Sequence, residues 1–168
     1  MSDELARVVV ERLVRMALEE DLAGGDLTTE SCIDESARSV AHGVARTELV
    51  FSGGLVAEMA FRLVSPDVTF EQKVADGALA SKGATLFTAR GPSRALLMAE
   101  RTALNFIQRM SGISTLARTY ASAVPKGSKT RIADTRKTTP GLRVLERYAV
   151  RKGGAQNHRD NLGSAVLI

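Results

Sequence analysis

Residues 131–168 constrain the fold more than any other part of the chain, because they read as strand, helix, strand. Arg131-Ile132-Ala133 is short and apolar enough for a buried strand. Thr139-Pro140 predicts a helix start, with Thr as the N-cap and Pro at the first helical position. Leu142, Leu145 and Ala149 give that helix a buried face, Gly153-Gly154 end it, and Ala165-Val166-Leu167-Ile168 opens a second buried strand. A parallel pair with one crossover helix leaves a sheet face bare, whereas parallel sheets are covered on both faces. The pattern therefore predicts a chain cut inside an α/β unit.

The first 130 residues follow other rules. Leu5, Val9, Leu13 and Ala17 recur at four-residue steps and predict an amphipathic helix over 3–20 with Ser2 as its cap. Residues 21–29 carry Gly24-Gly25 and read as a loop. Small and β-branched residues from Ser39 to Phe51 predict a strand or hairpin. A short helix with Leu55, Met59, Phe61 and Leu63 follows, then extended segments over 68–74 and 85–89. Ser93 is expected to cap a helix running to about Met110, with Ser111-Gly112 breaking it before another over 113–123. Apolar residues make up 44% of the chain but aromatics only 4%, so the core is expected to rest on Leu, Val, Ile and Ala.

A lone cysteine, Cys32, has no partner for an internal disulfide, and the acidic start Met1-Ser2-Asp3-Glu4 is unlike a secretion signal. No run reaches the roughly 20 apolar residues of a membrane span. These features point to a cytoplasmic protein that does not use a membrane.

Charge is divided unevenly. Residues 1–117 hold 12 Lys and Arg against 16 Asp and Glu, a net of −4, while residues 118–168 hold 11 against Asp134, Glu146 and Asp160, a net of +8. Such a field calls for an anionic partner. Its densest part, Asp134-Thr135-Arg136-Lys137-Thr138-Thr139-Pro140, lies between the expected strand end and helix start, where backbone N–H groups also favour anions. Arg136 suits a two-point grip on a carboxylate, and Lys137 suits phosphate or developing negative charge. His158-Arg159 adds a second donor pair at the next connection, although such a pair alone is commonly a surface feature. Arg101 interrupts the apolar line Leu97, Leu104; an ion pair with an acid such as Glu100 is one explanation.

Taken together, these segments are similar to the quinolinate phosphoribosyltransferase family. The resemblance is carried by Glu20-Asp21-Leu22, Gly25-Asp26-Leu27-Thr28-Thr29, Ala99-Glu100-Arg101-Thr102-Ala103-Leu104-Asn105-Phe106 and Ser111-Gly112-Ile113. It continues through Asp134-Thr135-Arg136-Lys137-Thr138-Thr139-Pro140-Gly141-Leu142-Arg143, Tyr148-Ala149-Val150-Arg151, Gly153-Gly154 and Asn157-His158-Arg159. It implies an α+β N-terminal sandwich domain over 1–112, followed over 113–168 by the first units of an α/β barrel, the type II phosphoribosyltransferase fold, here truncated. It also implies a homodimer, or a higher assembly, in which each sandwich covers the partner's barrel mouth.

By the same resemblance Arg136, His158 and Arg159 hold the quinolinate carboxylates, and Arg101 reaches the partner's substrate site. Lys137 is the catalytic candidate and lies near phosphoribosyl pyrophosphate. The implied reaction gives nicotinate mononucleotide and carbon dioxide, with Mg²⁺ on the pyrophosphate and no metal ligand in this chain; the chain alone is expected to be inactive. A same-fold homologue with another acceptor is the near alternative. A non-catalytic anion-binding fragment and a nucleic-acid binder are more distant, since Tyr120 and Tyr148 are the only aromatics available for base stacking in the basic segment. A lipoyl- or biotinyl-type carrier, suggested by residues 74–86, lacks a lysine at a tight hairpin tip.

Overall fold

In the computed structural model, residues 4–164 and Val166 are described. The N-terminal amphipathic pattern forms α1 (Arg7–Leu22), with Val10, Leu13, Val14 and Leu18 buried. A strict four-residue step drifts by about 40° at each step, so the packed face follows alternating threes and fours and leaves Val9 and Ala17 at its margin. The helix begins after Ala6; the cap expected at Ser2 lies outside the described residues. The loop expected over 21–29 is shorter than read. Helix α1 extends into it, and Asp26 caps a second helix, α2 (Leu27–Cys32), by accepting the Thr29 N–H at 3.0 Å.

Two small antiparallel sheets follow. Strand β1 (Arg38–Val44) does not turn back on β2 (Leu49–Val50), so the hairpin alternative fails. After α3 (Gly54–Val64) come β3 (Thr69–Gln72), β4 (Leu79–Ala80) and β5 (Thr85–Pro92). One sheet has the order β1-β5-β3, and the other pairs β2 with β4. Long-range pairing wins because β1 finds a full-length partner in β5, from Arg38 opposite Pro92 to Val44 opposite Thr85. Gly43 lets the Phe87 ring lie against β1, since a Cβ there would come 2.1 Å from Phe87 Cε1.

The core is mainly the aliphatic one expected from composition, with Phe61, Phe70 and Phe87 added at one place. Their ring centroids lie 5.0 to 6.0 Å apart between α3 and the sheet. Few aromatics suffice when they converge.

Helix α4 (Ser93–Ala123) runs unbroken for 31 residues through Ser111-Gly112, against expectation. The hydroxyls that resemble a break hold a neighbour instead. Ser111 Oγ accepts the Ser52 N–H at 3.1 Å and donates to the Ser52 carbonyl at 3.2 Å; Thr115 Oγ1 accepts the Val50 N–H and donates to the Ser111 carbonyl. Ser93 opens the helix but does not cap it, because its Oγ is bonded to Ser39 Oγ at 2.6 Å.

Helix α5 (Arg143–Lys152) starts three residues after Pro140. Gly141 sits at φ +80° and forces a turn where the sequence suggested the first helical residues. The far end of α5 presses on α4: a Cβ on Gly153 would lie 2.4 Å from the Ser114 carbonyl oxygen, and Ser114 Oγ donates to the Ala149 carbonyl at 2.8 Å.

The strand expected at Arg131-Ile132-Ala133 is reduced to one parallel bridge, Ala133 with Gln156. Asp134 N–H donates to Gln156 O and Gln156 N–H to Ile132 O, both at 2.9 Å. The segment after Gly153-Gly154, read as a connection, is therefore the parallel neighbour. The second strand, expected over 165–168, lies outside the described residues apart from Val166, which is in no element. Among the described residues no helix is long and apolar enough to cross a membrane.

Candidate anion-binding site

The Ala133–Gln156 bridge places two loops side by side, because Asp134-Thr135-Arg136-Lys137 leaves the C-terminal end of one segment and Asn157-His158-Arg159 leaves that of the other. In parallel α/β folds this is the end where ligands bind.

A buried ion pair joins the loops. Arg147 projects from α5 with 6% of its surface exposed and donates through Nε to Asp134 Oδ2 at 2.8 Å. Its other nitrogens reach Asp160 Oδ1 and the His158 carbonyl, each at 2.5 Å. Asp134 also accepts from Asn157 Nδ2 at 2.5 Å and from the His158 N–H at 2.6 Å. Asn157 Oδ1 in turn accepts from Arg151. Both members of the buried pair, Arg147 and Asp134, have several partners, which a buried ion pair requires if desolvation is not to dominate.

A second cluster fixes the turn before α5. Glu146 accepts from Arg109 of α4, and its Oε2 takes the Thr139 N–H at 3.3 Å; Arg109 also donates to Thr139 Oγ1. Burial pushes the Glu146 carboxyl up, but the hydrogen bonds from Arg109 and Thr139 together outweigh it and hold its pKa below the usual glutamate value. Arg143 donates to Thr138 Oγ1 at 3.1 Å and to the Arg136 carbonyl at 3.2 Å. Part of the +8 field is thus spent on shaping these loops.

The side chains singled out in the sequence stand as follows. Arg136 is half-buried, and its Nε is closed off from solvent with no hydrogen-bond partner in the structure. Lys137 is exposed, with its backbone N–H bonded to Thr135 Oγ1 at 3.2 Å. His158 is exposed, and its Nδ1 accepts the Arg159 backbone N–H at 2.8 Å. A neutral ring held this way carries its proton on Nε2, a donor facing outward from that bond. Arg159 is half-buried beside it.

Arg101 is not brought to these loops. It is exposed on α4, and the ion pair considered with Glu100 is not present among the described residues. Eight residues separate it from Arg109, about 12 Å along the helix and about 80° around it.

Sequence reasoning missed Arg147, Asn157 and Asp160. A signal was present: only three acids stand among the 11 cations after residue 117, and each of them is bonded to an arginine.

Residues 26–111 match the N-terminal domain of quinolinate phosphoribosyl transferase, and residues 113–168 match its C-terminal domain. The chain belongs to the quinolinate phosphoribosyltransferase family. It is 42% identical over 149 residues to a probable nicotinate-nucleotide pyrophosphorylase (carboxylating) of Bacillus subtilis, covering 89% of this chain and 51% of that protein. It is also 42% identical over 160 residues to the nicotinate-nucleotide pyrophosphorylase (carboxylating) of Mycobacterium leprae, covering 92% and 55%. The solved nicotinate-nucleotide pyrophosphorylase of Francisella tularensis superposes with a TM-score of 0.93 at 36% identity, over 99% of this chain and 58% of the other. The chain thus spans about half the length of the relatives it matches. The fold is the family's α+β sandwich followed by the opening of its barrel.

The family also implies Mg²⁺. Among the described residues no three His, Cys, Asp or Glu side chains gather, and the carboxylates nearest the loops are taken up by Arg147 and Arg109. These residues do not build a magnesium site.

Proposed function

We propose that the protein carrying this chain transfers the phosphoribosyl group of phosphoribosyl pyrophosphate to quinolinate and decarboxylates the product to nicotinate mononucleotide. One observation carries the reading: two cationic loops leave adjacent parallel segments at the same end, tied by one ion pair, with a buried Arg136 Nε that has no partner among the described residues. A doubly ionised acid supplies acceptors to such donors, whereas leaving them dry and unpaired is costly.

In this reading Arg136, His158 and Arg159 hold the two carboxylates and turn the pyridine nitrogen toward ribose C1. The nitrogen lone pair forms the new C–N bond while the C1–O bond breaks, its electrons leaving with pyrophosphate. Lys137 offers its ammonium to that charge. The carboxylate next to the ring nitrogen then departs as carbon dioxide, its bonding pair staying on carbon beside the cationic nitrogen until a proton replaces it. The described residues supply no ligands for magnesium, whose chemistry, when bound, would be to neutralise pyrophosphate charge.

The proposal includes a cytoplasmic homodimer in which Arg101 of one copy completes the other's site, with residues 1–112 forming the sandwich and 113–168 beginning the barrel. Its partners are small anions rather than nucleic acid or membrane. The full-length protein, given quinolinate, phosphoribosyl pyrophosphate and Mg²⁺, should release nicotinate mononucleotide and carbon dioxide in equal amounts. Turnover of nicotinate in preference to quinolinate, or of neither, overturns the assignment.

A further inference from the structure

The His158 peptide unit is gripped from both sides by one ion pair. Asp134 Oδ1 accepts its N–H at 2.6 Å, Arg147 donates to its carbonyl, and the two gripping side chains are bonded to each other at 2.8 Å. The carbonyl bond also fixes the position of the next residue, Arg159, whose N–H selects the His158 tautomer. The exposed surface of Arg147 is only 6%, and each of its three nitrogens donates to a protein acceptor, so the guanidinium is committed to shaping the loops and is almost closed to a ligand.

We propose that Asp134 and Arg147 form a positioning pair that sets His158 as an Nε2–H donor aimed at the acceptor acid, and so governs affinity for that acid rather than for the phosphoribosyl donor. This inference rests on the reading under Proposed function and names residues that act through His158 without touching substrate. The chemistry is directional. A guanidinium spans three acceptors in one plane, and neither lysine nor methionine reproduces that fork. Replacing Asp134 by Asn turns one acceptor into an NH₂ group, which at Oδ2 faces both Arg147 Nε and Asn157 Nδ2 and at Oδ1 faces the His158 N–H, donor against donor in either orientation.

The test uses the full-length protein with Arg147→Met and Asp134→Asn, and with Tyr148→Phe as a comparison that weakens α5 elsewhere, at its bond to Asp76. Expected is a rise in KM for quinolinate of about tenfold or more, since a displacement of about 1 Å in a binding group costs up to about a hundredfold. KM for phosphoribosyl pyrophosphate should move less than about threefold, and Tyr148→Phe should change neither. Histidine ¹⁵N shifts, with the His158 signal assigned by its loss in His158→Gln, should show one Nε2–H tautomer in the wild type and a mixture in Arg147→Met.

Equal effects on both KM values, or a single tautomer that persists in Arg147→Met, overturn the proposal. If the wild type does not use quinolinate, the functional reading falls, and the tautomer measurement alone decides whether the pair positions His158. If either variant fails to fold, Asp160→Asn replaces it: Asp160 is 44% exposed and engages only one of the three Arg147 nitrogens, so a smaller change in the same direction is expected and no change overturns the idea.

Discussion

Tyr148 Oη donates to Asp76 Oδ2 at 2.8 Å, joining helix α5 to a loop 72 residues earlier in sequence. The same carboxylate accepts the N–H groups of Gly53 and Gly54 and so caps α3. Arg118 reinforces this junction by donating to the carbonyls of Gly77 and Gly153. Asp76 and Arg118 thus fasten the first crossover to the sandwich on one side, as the Arg109–Glu146 pair does on another.

Tyr148→Phe should lower unfolding free energy by about 1.5 to 3 kcal/mol, the range for a hydrogen bond to a charged acceptor. Asp76→Ala should cost about 1 kcal/mol more, because the helix cap is lost as well. Urea unfolding of both variants measures the difference, and equal losses would show that the cap contributes nothing.

Two glycines in the same region should respond differently to alanine. At Gly153 the new Cβ meets the Ser114 carbonyl at 2.4 Å and Ala117 Cβ at 2.5 Å, so overpacking should cost about 2 to 3 kcal/mol or more. At Gly141 there is open space but φ is +80°, and only backbone strain of about 1 to 2 kcal/mol is expected. Thermal melts of the pair separate crowding from strain.

Acid should loosen the turn ahead of α5. The folded pKa of Glu146 lies below its ordinary value of about 4.5, so its stabilising effect is fully present above that value and is lost as pH falls through the lower, folded one. Urea midpoints taken downward from pH 6 should fall less steeply in Glu146→Gln than in the wild type. Parallel slopes would remove Glu146 from the account.

Arg136→Lys should leave the melting temperature nearly unchanged, since the buried Nε has no partner among the described residues. Affinity for quinolinate, measured by calorimetry on the full-length protein, should fall by more than about tenfold with the loss of a charge-assisted donor. A substantial drop in melting temperature with unchanged affinity would make Arg136 a structural residue.

If Arg101 serves a neighbouring copy, Arg101→Ala and Lys137→Ala are each inactive alone yet complement when mixed. Half the dimers are then mixed and each keeps one intact site, which gives about a quarter of wild-type activity. No recovery after exchange of subunits would confine Arg101 to its own copy.

Local chemistry explains what the sequence made legible. The helices with an apolar face, α1, α3 and α5, were visible from spacing, and the cationic run at Arg136-Lys137 was visible from charge alone. Hidden features were those decided at a distance. Ser111-Gly112 looks like a helix break until Ser52 appears as the partner of the Ser111 hydroxyl. Gln156 reads as loop until Ala133 lies beside it. Arg147 counts as one more surface cation until two acids, each 13 residues away in sequence, close on it. Periodicity reports what a segment does with its own turns, not which remote group will satisfy its polar atoms.

Helix α4 is about 46 Å of continuous rod from Ser93 to Ala123, and it carries Arg101, Arg109 and Ser114 in fixed phase. Whatever opens to admit substrate, a swivel between the segments before and after Gly112 is not available to do it. Angular error is likewise transmitted whole: inserting one residue between Arg101 and Arg109 would turn the former by about 100° relative to everything downstream. Helix length here is therefore a gauge for the direction in which Arg101 leaves the surface.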